Sequence, residues 1–298
     1  MDGILNINKP IGITSYKTVE GIKKLTGEKR VGHAGTLDPL ACGVLPVCLG
    51  RATRIVEYLN EMSKVYLAEV ALGKSTDTYD TEGRVTKECD ASFITKEQIE
   101  SALGKFRGEI TQKPPMYSAV KYQGKRLYEI ARQGITVPRK NRKIAIYRLE
   151  LKSYQRELAT LTVECSRGTY IRSLAYDLGE ALGCGAYLKS LIRTSYGLFN
   201  IEDSLSPLQV AGIYEEGRLE EIIFPLDEAL SHLPAIYVDS ESARSLRNGR
   251  AISLGESCTG KKAAQEKPYR AYVKDGGFIG LVKAEIGSDY WRPLKVLN

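Results

Sequence analysis

Alternating apolar residues in three separate runs constrain the fold of this chain more than any other feature. Residues 64–72, 143–151 and 158–165 place apolar side chains at every second position, a pattern typical of β-strands. The last two runs are close enough to pair as neighbours. A different period, of three to four residues, occurs at 171–182 and ends at Gly183, which is typical of an amphipathic helix. The chain therefore combines strands and helices, and we predict an α+β fold.

The length and the C-terminal pattern indicate two domains. A chain of 298 residues is long enough for about two domains of ~150 residues each. From about residue 235 the sequence changes character, with a short helix after Ser240 and small strands beyond it. Residues 270–273 and 278–282 flank Asp275-Gly-Gly277, a strong hairpin signal. We predict a boundary near residue 235, with domains at 1–234 and 235–298, the second small and rich in β-structure.

Hydropathy and cysteine usage favour a cytoplasmic protein. The longest apolar stretch, 40–49, is broken by Gly43 and Pro46 and is too short to span a bilayer. No basic and then apolar leader opens the chain. Its six cysteines are scattered without a Cys-x-x-Cys pair, so we expect reduced thiols and no structural zinc. With two histidines in the chain, a histidine-rich metal site is excluded, and we expect no metal.

Positive charge is concentrated in one segment. Residues 121–143 contain eight basic side chains against the single acid Glu129, while the formal net charge of the whole chain is +7. The basic residues are Lys121, Lys125, Arg126, Arg132, Arg139, Lys140, Arg142 and Lys143. Such clustering suggests a polyanionic partner such as a nucleic acid, although a solvated surface loop has the same composition.

Motif searches exclude the common nucleotide and hydrolase sites and leave one unusual loop. Gly73-Lys-Ser75 resembles the end of a phosphate-binding loop, but Ala68 occupies the position where that loop needs glycine. The loop 32–43 instead carries the single acid Asp38 among glycine and apolar residues. Pro39 biases the Asp38 backbone away from the helical region and so directs its carboxylate. An isolated Asp-Pro is most often a turn residue, but this loop also suits a functional carboxylate.

Five blocks in order resemble the TruB family, the tRNA pseudouridine-55 synthases. The resemblance covers about residues 6–193, and the tail 235–298 is similar to the RNA-binding PUA module. The blocks are the opening motif at 8–15, Gly32-His-Ala-Gly-Thr-Leu-Asp-Pro-Leu-Ala-Cys-Gly-Val-Leu-Pro46 around the aspartate, Lys64-Val-Tyr66, Cys165-Ser-Arg-Gly-Thr-Tyr-Ile-Arg172, and a leucine-arginine motif at 188–193.

The resemblance implies a fold and a chemistry without cofactor. The fold would have a central mixed, largely antiparallel sheet flanked by helices, an RNA-binding insertion at about 113–143, and a PUA-like barrel. The reaction would isomerise uridine 55 in the T-arm of tRNA after the base is flipped out of its stack. Asp38 would be the catalytic carboxylate. Arg172 would pair with it and keep it charged at neutral pH. Tyr66 would also be catalytic, as a stacking partner of the flipped ring and a candidate acid or base at C5.

The resemblance also assigns substrate contacts. His33, Lys64, Tyr170 and Leu191 would bind the extruded nucleoside. Phosphates would be bound by basic side chains of the insertion, namely Lys121, Lys125, Arg126, Arg139, Lys140, Arg142 and Lys143. We expect tRNA as the partner, with no guide RNA, no membrane and no second copy of the chain.

Two alternatives stay open from the sequence. A guide-dependent enzyme that modifies ribosomal RNA shares the aspartate loop and the tail module, and a catalytically inactive protein could bind or fold RNA. Sequence also leaves three routes for Asp38: attack on C1′, addition to the base, or assistance to an elimination through a glycal.

Overall fold

The structure is a computed structural model that describes residues 1–253, 267–285 and 289–297. Its strands are β1 (Gly3–Lys9), β2 (Val31–His33), β3 (Ala41–Leu49), β4 (Lys64–Leu72), β5 (Lys74–Thr76), β6 (Val85–Glu88), β7 (Gly108–Gln112), β8 (Lys121–Tyr122), β9 (Lys125–Arg126), β10 (Arg142–Gln155), β11 (Leu158–Cys165), β12 (Ala186–Tyr196), β13 (Phe199–Asn200), β14 (Ala235–Val238), β15 (Ile252–Ser253), β16 (Tyr269–Val273), β17 (Phe278–Ala284) and β18 (Tyr290–Val296).

The α-helices are α1 (Ser15–Thr26), α2 (Val56–Leu59), α3 (Lys96–Leu103), α4 (Leu127–Ala131), α5 (Ile171–Leu182), α6 (Pro207–Glu215), α7 (Leu226–Ala229) and α8 (Ser240–Arg247). Short 3-10 turns lie at Gly50–Ile55, Gly104–Phe106 and Leu219–Ile222. None of the helices in the described ranges is long and apolar enough to cross a membrane.

A nine-stranded sheet organises the larger part of the chain. Its main path runs β1-β3-β12-β4-β11-β10-β7, with β2 and β13 attached at its side. The β3–β12 pair is parallel, and the other pairs along the path are antiparallel. The prediction of a mixed, largely antiparallel sheet is confirmed, as are the strands expected at 64–72, 143–151 and 158–165.

Successive side chains of β3 enter two different cores, one on each face of this sheet. Leu45 and Val47 belong to a core that also contains side chains of α1, α3 and α5. Val44 and Cys48, which point the opposite way, belong to a second core with Tyr196. A strand covered on both sides reads as a continuous apolar run, which explains why 40–49 is so apolar in sequence.

The helix predicted at 171–182 is confirmed, and its ends are defined by local chemistry. Gly183 closes α5 in the left-handed conformation, with a φ of 77°, which glycine adopts without steric cost. Tyr170 is the residue at its N-terminal cap. Helix α5 packs against β12, so the side chains of its first turn are held beside the centre of the sheet.

The basic insertion lies between β7 and β10, which pair directly with each other. It contains the two-stranded hairpin β8–β9 and α4. Met116, Leu127 and Ile130 form a small core of its own. The insertion therefore has a small core of its own and is joined at both ends to paired strands.

A second, five-stranded sheet contains the C-terminal strands in the order β14-β16-β17-β18-β15. The predicted hairpin is present as β16 and β17, and the short helix after Ser240 is α8. This sheet contacts the rest of the chain through Lys295 with Glu57 at 2.9 Å and Arg54 with the carbonyl of Val296 at 2.6 Å. Leu281 joins the second core of the larger part.

Candidate active site

The Asp38 loop connects β2 to β3 and is anchored at several points. Leu37 and Leu40 are buried in the main core, as expected. The Ser15 hydroxyl accepts from the Leu37 amide at 2.8 Å and donates to the Leu37 carbonyl at 2.9 Å. The Gly12 amide donates to the carbonyl of Pro39 at 2.8 Å. These contacts on both sides of Asp38 fix the position of its backbone.

Two glycines allow the loop to approach β12 closely. Gly35 has a φ of 66°, and a Cβ there would lie 2.5 Å from the Tyr196 ring. Gly43 has a φ of 99°, and a Cβ there would lie 2.3 Å from the carbonyl oxygen of Arg193. Any other residue would be strained in backbone conformation and would also displace β12.

Arg172 contacts Asp38 directly. Its Nε lies 2.9 Å from Oδ2 of Asp38, and its Nη1 lies 3.3 Å from Oδ2 of Asp80. The guanidinium also donates to the carbonyls of Thr78, at 3.3 Å, and Tyr117, at 2.8 Å. Four partners hold the guanidinium in place, and Arg172 is 5% exposed. The structure thus brings together the two residues that the sequence paired.

The two carboxylates on Arg172 have different environments. The side chain of Asp80 is 4% exposed, whereas that of Asp38 is 38% exposed. Asp80 also accepts from the hydroxyl of Thr78 and the amide of Glu82. Asp80 is therefore bonded on all sides, while Asp38 keeps a free edge. Sequence analysis missed Asp80, because a lone acid in a turn carries no local sign of a partner 92 residues away.

Burial raises the pKa of the Asp38 carboxyl above its ordinary value, and the positive charge of Arg172 opposes this shift. The negative charge of Asp80 adds to the increase in pKa. Arg172 by itself would lower this pKa, but desolvation has the larger and opposite effect. That Asp38 is charged at neutral pH stays a prediction.

A cavity of about 790 Å³ opens over the free edge of Asp38. Tyr66, Tyr170, Leu191 and Lys64 line it, together with Arg172. Tyr66 is 9% exposed, and burial raises the pKa of its phenol, against the charge of Arg193. The cavity gathers most of the substrate contacts that the sequence proposed.

Tyr170 is positioned by a residue that the sequence did not identify. The side chain of Gln112, at the end of β7, accepts from the Tyr170 amide at 2.8 Å and donates to its carbonyl at 3.0 Å. Gln112 is 2% exposed. This pair of bonds ties the start of α5, and with it Arg172, to the strand that leads into the basic insertion.

His33 is the proposed substrate contact that the structure does not bring to the cavity. It lies on β2, half-buried, and is not among the lining side chains. Its Nδ1 is buried and has no hydrogen-bond partner among the residues that the structure describes.

The basic residues of the insertion divide into two groups. Arg142 and Lys143 are exposed and line the cavity, beside Ser118 and Ala119. Lys121, Lys125, Arg126 and Lys140 are exposed at a distance from it. Arg139 differs from both groups because it is half-buried and donates to the carbonyl of Pro114 at 2.9 Å.

The charge of the cavity suits an anionic ligand. The lining residues of the cavity include one acidic side chain, Asp38, and six basic side chains. These are Lys64, Arg142, Lys143, Arg167, Arg172 and Arg193. Such a wall attracts a polyanion, and the carboxylate is presented at its floor.

Comparison with known proteins gives consistent results. Residues 23–171 match the TruB family pseudouridylate synthase (N terminal domain), and residues 172–231 match the tRNA pseudouridylate synthase B C-terminal domain. A tRNA pseudouridine synthase B of Dehalococcoides mccartyi is 48% identical over 99% of this chain and 96% of its own length. That of Clostridium acetobutylicum is 46% identical over the full length of both.

Two solved structures of similar fold are a protein complex and an RNP with a bound substrate RNA. A Cbf5-Nop10-Gar1 complex contains a chain with a TM-score of 0.79 and 27% identity, matched over 99% of this chain and 85% of that one. An H/ACA RNP bound to a substrate RNA containing 2′-deoxyuridine gives a TM-score of 0.76 and 25% identity over the same shares.

Proposed function

Because the chain belongs to the TruB family of pseudouridylate synthases, we propose that it is a tRNA pseudouridine synthase that isomerises uridine 55 in the T-arm. The bond between N1 and C1′ breaks, the ring turns, and C5 bonds to C1′. No redox change and no net hydrolysis occur. One observation supports this more than any other: the Asp38 carboxylate, paired with Arg172, faces a cavity lined by cations.

Asp38 is the catalytic carboxylate in this proposal. A carboxylate suits a reaction at an oxocarbenium-like sugar carbon, because it can attack that carbon or stabilise its charge. The contact from Arg172 at 2.9 Å orients it. Its side chain, 38% exposed, leaves an oxygen edge accessible to a sugar in the cavity.

Tyr66, Tyr170 and Leu191 bind the everted base. Rings and branched side chains on the cavity wall replace part of the stacking that the base loses on leaving the RNA. Unstacking costs a few kcal/mol, and contacts between the basic insertion and phosphates offset it. Lys64 lies on the same face of β4 as Tyr66 and completes this wall.

The remaining assignments follow from this function. We propose that residues 1–234 form the catalytic domain and 235–298 a PUA-like RNA-binding module. The enzyme acts as a cytoplasmic monomer, without guide RNA or cofactor. The full-length relatives at 46–48% identity carry the name of a tRNA enzyme, which favours this substrate over guide-selected ribosomal RNA.

The test uses an unmodified tRNA transcript whose uridines carry tritium at C5. Formation of pseudouridine releases this tritium, which is measured. We expect turnover without guide RNA, and none from a transcript with cytidine at position 55. Asp38→Asn should bind the tRNA and release no tritium. Binding without turnover by the wild-type protein would support an inactive RNA-binding protein, and turnover only with added guide RNA would support the guide-dependent enzyme.

A further inference from the structure

Two buried cations in the wall of the cavity contact the same aromatic ring. Lys64 is 5% exposed and Arg193 is 1% exposed, and both line the cavity. The Lys64 Nζ lies 4.6 Å from the centre of the Tyr196 ring, and the Arg193 Cζ lies 4.9 Å from the same centre. Two like charges therefore share one aromatic ring. We call Lys64 and Arg193 the cation pair.

Neutral oxygens hold the cation pair. The Lys64 ammonium donates to the carbonyls of Asn60, at 2.6 Å, and Met62. The Arg193 guanidinium donates to the carbonyls of Val44, at 2.6 Å, and Gly35, at 2.9 Å. Across residues 1–253, 267–285 and 289–297, the ion pairs found do not include either residue.

This arrangement costs stability. Removing a charge from water is expensive unless an opposite charge compensates it, and a like charge nearby adds to the cost. The pKa of Lys64 reflects both effects: burial, and then the charge of Arg193, lower it to about 8. Arg172, on the same cavity, has two carboxylate partners. In the described part of the chain, no carboxylate lies within ion-pair distance of the cation pair, which points to a transient anion.

Position decides which anion it is. The exposed cations at the mouth, such as Arg142 and Lys143, suit phosphates, which stay hydrated. The cation pair lies deeper, beside the wall proposed to contact the base. Arg193 is opposite Tyr66 in the pairing of β12 with β4, and its positive charge lowers the pKa of the Tyr66 phenol against the effect of burial. The anion that occupies this part of the cavity is therefore the base.

The uracil ring becomes anionic during the proposed reaction. When the N1–C1′ bond breaks, its electron pair stays on the ring, and the charge spreads over N1, O2 and O4. When C5 bonds to C1′, the C5 proton leaves and N1 gains a proton, so the ring is neutral again. Each of the three routes open to Asp38 passes through a negatively charged ring. Stabilisation of that charge accelerates the reaction whichever route is followed.

We propose that the cation pair, Lys64 and Arg193, stabilises the negative charge on the detached uracil ring. This assignment rests on the proposed pseudouridine synthase function and gives two residues of its site a catalytic role. The bound ground-state uridine is neutral, so the cation pair contributes little to tRNA affinity. Its effect is on the chemical step.

Lys64→Met is the first test, in single-turnover assays at saturating tRNA. Removal of one such group typically slows chemistry by about 10²-fold or more, and we expect that loss with a Kd for tRNA within threefold of wild type. The melting temperature should not fall, because the variant loses two carbonyl contacts but also a buried like charge. Lys64→Arg keeps the charge and should retain most of the rate. Lys24→Met removes an exposed lysine elsewhere and is the control.

Arg193 gives an independent comparison. Arg193→Gln keeps hydrogen-bond donors without charge, and Arg193→Lys keeps charge without the planar fork. The proposal expects Arg193→Lys to be the faster of the two. If these residues only hold the surrounding backbone in place, Arg193→Gln should react at least as fast as Arg193→Lys. Reaction rate, tRNA affinity and melting temperature should then fall together.

The outcomes separate this proposal from the function on which it rests. A wild-type protein that releases no tritium from tRNA contradicts the proposed function. An active wild type whose Lys64→Met variant reacts at an unchanged rate overturns the role of the cation pair alone. Should Lys64→Met fail to fold, the order of rates for the two Arg193 variants still decides.

Discussion

Removal of the Arg172 side chain should expose how differently its two carboxylates depend on it. In Arg172→Met, Asp80 loses its cation while only 4% of its side chain is exposed to solvent. Breaking a buried pair in this way costs about 3–5 kcal/mol, a large part of the ~5–15 kcal/mol typical of a folded protein. Asp38 contributes less to this cost, because 38% of its side chain is exposed.

A double-mutant cycle with Asp80→Asn tests the argument. Asparagine can still accept from Thr78 and Glu82, so the single variant should lose only about 1–2 kcal/mol. In the double variant Asp38 still lacks its cation, but its side chain is 38% exposed. The charge at Asp80 is gone, so part of the loss in Arg172→Met should be recovered. We expect a coupling of about 2 kcal/mol between the two positions.

The assay is urea unfolding at pH 7, with the free energy of unfolding taken from midpoint and slope. Unchanged slopes for all four proteins would show that the variants unfold from comparable native states. If the double variant's loss of stability equals the sum of the two single losses to within about 0.5 kcal/mol, the two sites are independent and the reasoning is refuted. An Arg172→Met variant as stable as wild type would refute it as well.

Three further predictions follow from the same geometry. Asp80→Asn removes a negative charge that raises the pKa of Asp38. Asp38 should then protonate at a lower pH, and turnover should persist to a lower pH, as measured by the rate from acid to neutral pH. Arg142→Glu with Lys143→Glu should weaken tRNA binding and reduce the slope of log Kd against log salt by about 1–2; an unchanged slope in filter binding would show that neither contacts phosphate. Gly43→Ala should lower the melting temperature and abolish turnover together, because a Cβ there meets the β12 backbone at 2.3 Å, and a fully active variant would contradict that contact.

Sequence periodicity was sufficient for the local elements. The alternating runs became β4, β10 and β11, and the three-to-four-residue period became α5 with Gly183 at its end. Helix α3 begins with a capping box between Thr95 and Gln98, which is also a local signal. These signals are local: they depend on which face of one element is buried and on the groups that end it.

The site residues were readable from the sequence only where a motif marked them. Asp38, Tyr66, Tyr170 and Leu191 lie within recognisable blocks, and the structure brings all four to one cavity. His33 lies in the same block as Asp38 and yet does not line it. Proximity along the chain did not decide this, because the side chain of a strand residue points to one face of its sheet or the other.

What the sequence determined alone was therefore the set of elements, the concentration of positive charge and the position of the carboxylate proposed to be catalytic. The partners of that carboxylate were decided only in three dimensions. Asp80 reaches Arg172, Gln112 holds Tyr170, and Lys64 meets Arg193 over one ring, each across a long separation in sequence. Strand register sets the last of these pairings, because Lys64 and Arg193 lie on the paired strands β4 and β12. All three depend on contacts between distant segments that no local pattern encodes.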